Sequence, residues 1–250
     1  MKQNWMRFAN SRQIVVRMLA ATAHFSSTGS TRAAKLGISF SPAGLLTPFH
    51  LGASAELRES QLLTDSVALA GSSGGALAAV CAGLDVDVFS SLEACSAIAR
   101  RCRDLGHFGQ LRPALDEQLY RILPQDAHTL LNTRAALTSV AYKQLFPSLV
   151  SHTVSAYTSK EDLIEVLRAS CAIPVYFNGT PAVRVRDHYG IDGFFAVDRN
   201  RFGCPPTGAV LEIVVCPFRA DRVGLAIPEV HFSLPIHIKL IILFNTLPCS

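Results

Sequence analysis

The chain has no Cys-x-x-Cys pair, and its seven cysteines (Cys81, Cys95, Cys102, Cys171, Cys204, Cys216 and Cys249) are odd in number. That excludes a simple disulfide framework and argues against a zinc knuckle. Thiols used this way read as small buried hydrophobes in a reducing compartment. No apolar run reaches the ~18 residues that a membrane-spanning helix needs. The nearest, IKLIILF at 238–244, is shorter and contains Lys239. It reads as a core strand or an abnormal chain end. Charged residues are sparse, at 17% against 49% hydrophobic, which excludes a disordered or coiled-coil chain. Internal repeats are absent. So is any nucleic-acid motif, and no nucleic-acid partner is expected.

Acid is also missing from the start of the chain, because no Asp or Glu precedes Glu56. Residues 1–35 carry Lys2, Arg7, Arg12, Arg17, Arg32 and Lys35, and this stretch is rich in Ser, Ala and Thr. That composition fits a transit peptide for a mitochondrion or plastid; the rival readings are a disordered basic tail and a cytoplasmic protein. Arg17 interrupts the apolar run and disfavours a secretory signal. The expected organisation is therefore a basic leader over 1–35, one domain over 36–235 and an uncertain C-terminal segment over 236–250.

Strand and helix patterns alternate through the domain. LGISFS (36–41) and SVALA (66–70) read as buried strands, and Thr47-Pro48 opens a helix with Thr47 as N-cap. Helical patterns follow from Gly74 to Gly83, through SSLEACSAIARRCRDLG and through RPALDEQLYRIL. ALTSVAY and SHTVSAYT suggest a strand pair. A capping box from Thr158 to Glu161 opens a helix that Pro174 ends. RVRDHYGIDGFF reads as one strand with a turn at Asp192-Gly193, and LEIVVCPF as a late strand. The sum is an α/β protein: a three-layer α/β/α sandwich around a mainly parallel central sheet.

Within VALAGSSGGALAAVCAGL (67–84) lies a G-x-S-x-G, Gly71-Ser72-Ser73-Gly74-Gly75. It falls between a strand and a helix, where a nucleophile elbow presents a serine hydroxyl above the sheet edge. The flanking glycines permit close backbone approach, and the helix N-terminus favours a developing oxyanion. The competing reading is a glycine-rich helix start packed against a strand. Ser73 needs a base. The candidates are Asp192 and, in a Ser–Asp–His order, His231 or His237. His50 reads as a packed core residue, and Asp187 and His188 as polar loop groups.

Three ordered blocks resemble the patatin-like phospholipases: AGSSGGALAA; EDLIEVLRASCAIPVYFNGTP (161–181), with its Ser-x-x-Ile-Pro; and YGIDGFF (189–195). The similarity covers about residues 36–217. It implies a lipid acyl hydrolase acting on glycerolipid or phospholipid esters through an acyl-enzyme. Ser73 would be the nucleophile and Asp192 its base, and neither metal nor organic cofactor is required. It also implies an oxyanion hole from the N–H groups of Ala43, Gly44 and Gly74, with Gly71, Gly75 and Gly193 shaping the elbow and the acid turn. The family's Gly-Gly-Gly-x-x-Gly loop is altered here to SPAGLLTPFHLG (41–52): Pro42 and Ala43 take the first two glycine positions, Leu45 and Leu46 follow Gly44, and Thr47 replaces the last glycine. Pro42 has no N–H to donate. Phe194 replaces the small residue after Asp192-Gly193, which places a bulky ring beside the dyad or shifts the turn. The apolar 44–49 loop is expected to touch acyl chains or a membrane surface. The alternatives are an α/β-hydrolase esterase with a triad, and an impaired patatin fold that binds lipid or a partner.

Overall fold

The computed structural model describes residues 17–20, 34–106 and 108–224. Residues 1–16 and 21–33 of the leader, His231, His237 and the 238–244 run lie outside the described residues. Among the described residues, eight strands form one sheet: β1 (Arg17–Ala20), β2 (Leu36–Phe40), β3 (Ala68–Ser72), β4 (Thr138–Phe146), β5 (Val150–Val154), β6 (Val183–Val185), β7 (His188–Ile191) and β8 (Leu211–Val215). The helices are α1 (Thr47–Glu59), α2 (Gly74–Gly83), α3 (Val88–Leu105), α4 (Leu111–Ile122), α5 (Ala127–Asn132), α6 (Lys160–Ser170) and α7 (Ala220–Val223). The sheet order is β1-β8-β2-β3-β4-β7-β6, with β5 also on β4. The central strands β8, β2, β3 and β4 run parallel, as expected; antiparallel pairs flank them, so the whole sheet is mixed.

Period-2 alternation divides the strands between two faces. Ile38, Phe40, Leu69, Val140, Tyr142, Ile213 and Val215 enter the core under the helices, against Leu51 and Leu57 of α1, Val80 of α2 and Leu163 and Leu167 of α6. Fully burying each such side chain contributes roughly 1.5–3 kcal/mol. The opposite face is covered by residues 193–209, which contain two 3₁₀ turns, Gly193–Ala196 and Arg199–Arg201. Ser39 Oγ donates to Pro205 O at 2.6 Å and Ser72 Oγ to Gly203 O at 2.5 Å. Buried Glu212 accepts from Arg201 and, at 2.8 Å, from Thr207 N. These bonds hold the third layer to the sheet.

Three local expectations shift. The N-cap of α1 is Leu46; Thr47 is inside the helix, and its Oγ1 donates to Gly44 O at 2.8 Å. Ser159, not Thr158, caps α6, accepting from Asp162 N at 3.1 Å. The expected single strand before Asp192 is a hairpin, β6 and β7, that turns at Arg186-Asp187 with Arg186 at φ 52°.

Candidate active site

The edge of β4 carries two strands in succession. β3 runs parallel to it and ends with Ser72 opposite Ala141; β7 runs antiparallel and ends with Ile191 opposite Lys143. β5 occupies the other edge of β4 at Lys143 and Gln144. β3 and β7 therefore meet end to end, and the residues at the junction are Ser73 and Asp192. Gly193 marks how close they come: a Cβ there would lie 2.2 Å from Ala141 O and 2.7 Å from Ser72 Cβ.

Ser73 is the N-cap of α2 at φ 53° and ψ −129°. A non-glycine residue held there stores about 1–3 kcal/mol of strain. The elbow is drawn tightly onto β2, since a Cβ on Gly75 would lie 2.4 Å from the carbonyl oxygens of Phe40 and Ser41. Gly71 faces the Gly75 carbonyl in the same way, at 2.2 Å. Ser73 N–H donates to Ser170 Oγ at 2.9 Å, and Ser170 Oγ donates to Ala141 O at 2.6 Å.

Asp192 is 2% exposed. Its N–H donates to Ala172 O at 2.9 Å, and its Oδ1 accepts from Phe194 N at 2.9 Å. Its Oδ2 is buried with no hydrogen-bond partner among the described residues. Burial pushes the carboxyl from 3.8 up to about 6, while the Phe194 N–H and then the Ser73 hydroxyl hold it down. Ser73 thus acts on the carboxyl, although no hydrogen bond of ordinary length and angle closes between them. Burial and then this carboxylate push the Cys171 thiol well above its ordinary value, which disfavours the thiolate.

A cavity of about 250 Å³ opens at Ser73. Gly44, Gly74 and Leu45 line its mouth; Leu77, Ile98 and Leu115 are among the residues that make it apolar. Gly74 and Gly44 converge, since a Cβ on Gly74 would sit 3.2 Å from Gly44 N. Ala43 is buried and does not line the cavity. Pro42 packs on Gly203, whose Cβ would lie 2.5 Å from the proline ring. The Phe194 ring joins an outer aromatic cluster, 5.4 Å from Phe195 and 5.6 Å from Phe202, and leaves the cavity open.

The described histidines are engaged elsewhere. His50 is fully buried with Nε2 on Ser41 O at 2.8 Å, and burial lowers its pKa to about 4. His188 is the first residue of β7, not a loop group, and bonds Tyr142 OH at 2.9 Å. His152 bonds Gln144 at 2.7 Å and stacks on His188. Sequence reasoning gave no role to Ser170, although its Ser-x-x-Ile-Pro block was the available signal. Among the described residues, no cluster of three His, Cys, Asp or Glu is placed to hold a metal ion. No described helix is long and apolar enough to cross a membrane.

The patatin-like phospholipase family model matches residues 38–198. Human patatin-like phospholipase domain-containing protein 4 is 29% identical over 171 residues, 63% of this chain and 64% of that protein. Human omega-hydroxyceramide transacylase is 30% identical over 168 residues, covering 63% and 30% of the two chains. Human 1-acylglycerol-3-phosphate O-acyltransferase PNPLA3 is 30% identical over 146 residues, covering 56% and 30%. The matched stretch thus spans less than two thirds of each of these relatives.

Proposed function

Since the chain belongs to the patatin-like phospholipase family, we propose that it cleaves acyl esters of glycerolipids or phospholipids, with Ser73 as nucleophile and Asp192 as its base. The observation that carries this reading is the junction of β3 and β7, where a strained serine faces a buried carboxylate with one free oxygen. Asp192 Oδ2 takes the hydroxyl proton as Ser73 Oγ attacks the ester carbonyl carbon. The oxyanion forms against the N–H groups of Gly44 and Gly74 at the cavity mouth, and the positive end of α2 favours it. The proton then passes from Asp192 to the departing alcohol, leaving an acyl-enzyme. Water attacks that ester with Asp192 again as base, and the fatty acid leaves.

A carboxyl near 6 suits this work, being mostly ionised at neutral pH and still basic enough to accept a proton. The apolar cavity holds the acyl chain. Ala43 reinforces the oxyanion loop through its backbone, and an active loop with Pro42 in it needs only the two glycine donors at the mouth. Residues 41–55 and 170–183, which supply part of the cavity lining, and residues 193–197 after Asp192 contain no Asp, Glu, Lys or Arg. Their exposed side chains include Leu46, Val175 and Phe195. This uncharged rim supports a peripheral contact with a lipid surface.

A second reading, transfer of the acyl group to an alcohol instead of water, is favoured by relatives named as a transacylase and an acyltransferase. Product analysis with a competing alcohol separates the two. A fluorophosphonate probe tests the shared first step. The reading predicts labelling of Ser73 that Ser73→Ala abolishes and Asp192→Asn slows about 10²–10⁴-fold. Equal labelling in Asp192→Asn, together with its loss in His231→Ala or His237→Ala, would favour the triad instead. Folded wild-type protein that takes up no label and turns over no ester would leave the non-catalytic alternative, a patatin fold that binds lipid or a partner.

A further inference from the structure

The geometry points to the C-terminal end of α6 and the two residues that follow it, with Ser170 as the positioning residue, as the gauge that sets the separation of Ser73 and Asp192. This inference rests on the dyad reading above.

Three consecutive residues reach both partners. Ser170 Oγ accepts the Ser73 N–H at 2.9 Å, Cys171 lines the cavity beside Ser73, and Ala172 O accepts the Asp192 N–H at 2.9 Å. One short rigid segment thus holds the backbone of the nucleophile and the backbone of the base. The hydroxyl of Ser170 both donates and accepts: its single proton goes to Ala141 O at 2.6 Å, and a lone pair takes the Ser73 N–H. It bridges the end of β3 to β4 through one oxygen. The side chain is 0% exposed, so water does not replace it.

The need for such a bridge follows from the elbow. Ser73 sits at φ 53°, a conformation that a serine keeps only when its surroundings over-determine it. β3 ends at Ser72, so the sheet ladder supplies no further partner to orient the Ser73 peptide. Ser170 is that partner. Without its oxygen, the Ser73 N–H and the Ala141 carbonyl both lose a buried hydrogen bond, and the hydroxyl of Ser73 shifts relative to Asp192. A displacement near 1 Å at such a site costs about 10²-fold in rate.

The test compares the wild type with Ser170→Ala, Ser170→Thr and Ser170→Cys, at a temperature where each is folded. The readouts are kcat and KM for a soluble p-nitrophenyl ester, the rate of fluorophosphonate labelling at Ser73, and the ¹³C-carboxyl titration of Asp192. Ser170→Ala is expected to lower kcat and the labelling rate together by about 10- to 100-fold with KM within about twofold. Its Asp192 midpoint is expected to move from the wild-type value. Ser170→Thr keeps the hydroxyl and restores the rate; Ser170→Cys, nearly isosteric with a weaker donor, falls between the two and serves should the added methyl of threonine unfold the chain. If Ser170→Ala loses only thermal stability and keeps the wild-type kcat, labelling rate and Asp192 midpoint, the residue is structural and the inference is overturned. A wild type that never labels at Ser73 overturns the dyad reading instead, and the Asp192 titration still decides whether Ser170 positions that carboxyl.

Discussion

Asp192 and His50 are both buried and lie close to the same elbow, yet their titrations act on stability in opposite directions. Burial raises the Asp192 carboxyl from 3.8 to about 6. Its contribution is therefore complete below about 3.8 and is lost as pH rises through about 6, because the unfolded chain ionises first. Burial lowers His50 from 6.5 to about 4. Its contribution is complete above 6.5 and is lost as pH falls towards 4, because the unfolded chain takes the proton first. Each shift corresponds to about 3 kcal/mol, so the two slopes largely cancel between pH 4 and 6. Asp192→Asn removes one of them. Urea unfolding of that variant is expected to show a gain of up to about 3 kcal/mol at pH 8. It is also expected to uncover a loss of stability from pH 6.5 down to 4. A variant less stable than wild type at pH 8 would mean that the buried carboxylate is better solvated than its unpartnered Oδ2 indicates. For activity, the acid limb of kcat/KM is expected near pH 6, with activity lost below it as Asp192 protonates.

At the scale of elements, the site exists because two strands share one edge of β4 and stop short of each other. Gly193→Ala tests that junction. The added Cβ would meet Ala141 O at 2.2 Å, a backbone atom that has no room to withdraw. A loss of about 1–3 kcal/mol in denaturant unfolding is expected, with slower fluorophosphonate labelling as Asp192 is pushed away. Labelling at the wild-type rate would show that the junction tolerates widening. Much of this layer was legible in the sequence: Gly106 caps α3 at φ 84°, where a glycine is expected, and Pro174 follows α6 closely, whereas Gly83 is the last residue inside α2 and Leu84 is its C-cap. The β6–β7 turn was not, because Arg186 adopts φ 52° without the Gly or Asn that usually signals it. The α6 cap moved by one residue because Thr158 and Ser159 are both competent caps and only Ser159 reaches Asp162 N. The pairing of Ser73 with Asp192 was read from a resemblance between blocks. The end-to-end approach of β3 and β7 depends on strand order, which no local pattern encodes.

For the whole molecule, two segments free of Asp, Glu, Lys and Arg, 41–55 and 170–183, contribute to the cavity lining, and a third, 193–197, packs beside the first. Pro42 and Phe194 both pack at Gly203, so the loop at 41–46 and the aromatic cluster of Phe194, Phe195, Phe202 and Phe218 are continuous. Val175 adds an exposed apolar side chain at φ 66°, in a strained turn closed by Tyr176 N–H on Pro174 O. If this rim meets lipid, Leu46→Ser combined with Phe195→Ser reduces co-sedimentation with phosphatidylcholine vesicles and leaves hydrolysis of a soluble ester near wild type. Unchanged co-sedimentation would assign the rim to another role. The most direct test of the central claim is mass-spectrometric mapping of a fluorophosphonate on native, folded protein across pH 4–9. The account predicts one adduct, on Ser73, forming at a rate that rises through pH 6 and is strongly reduced in Asp192→Asn. An unlabelled Ser73, or labelling that ignores Asp192 and pH, would contradict it.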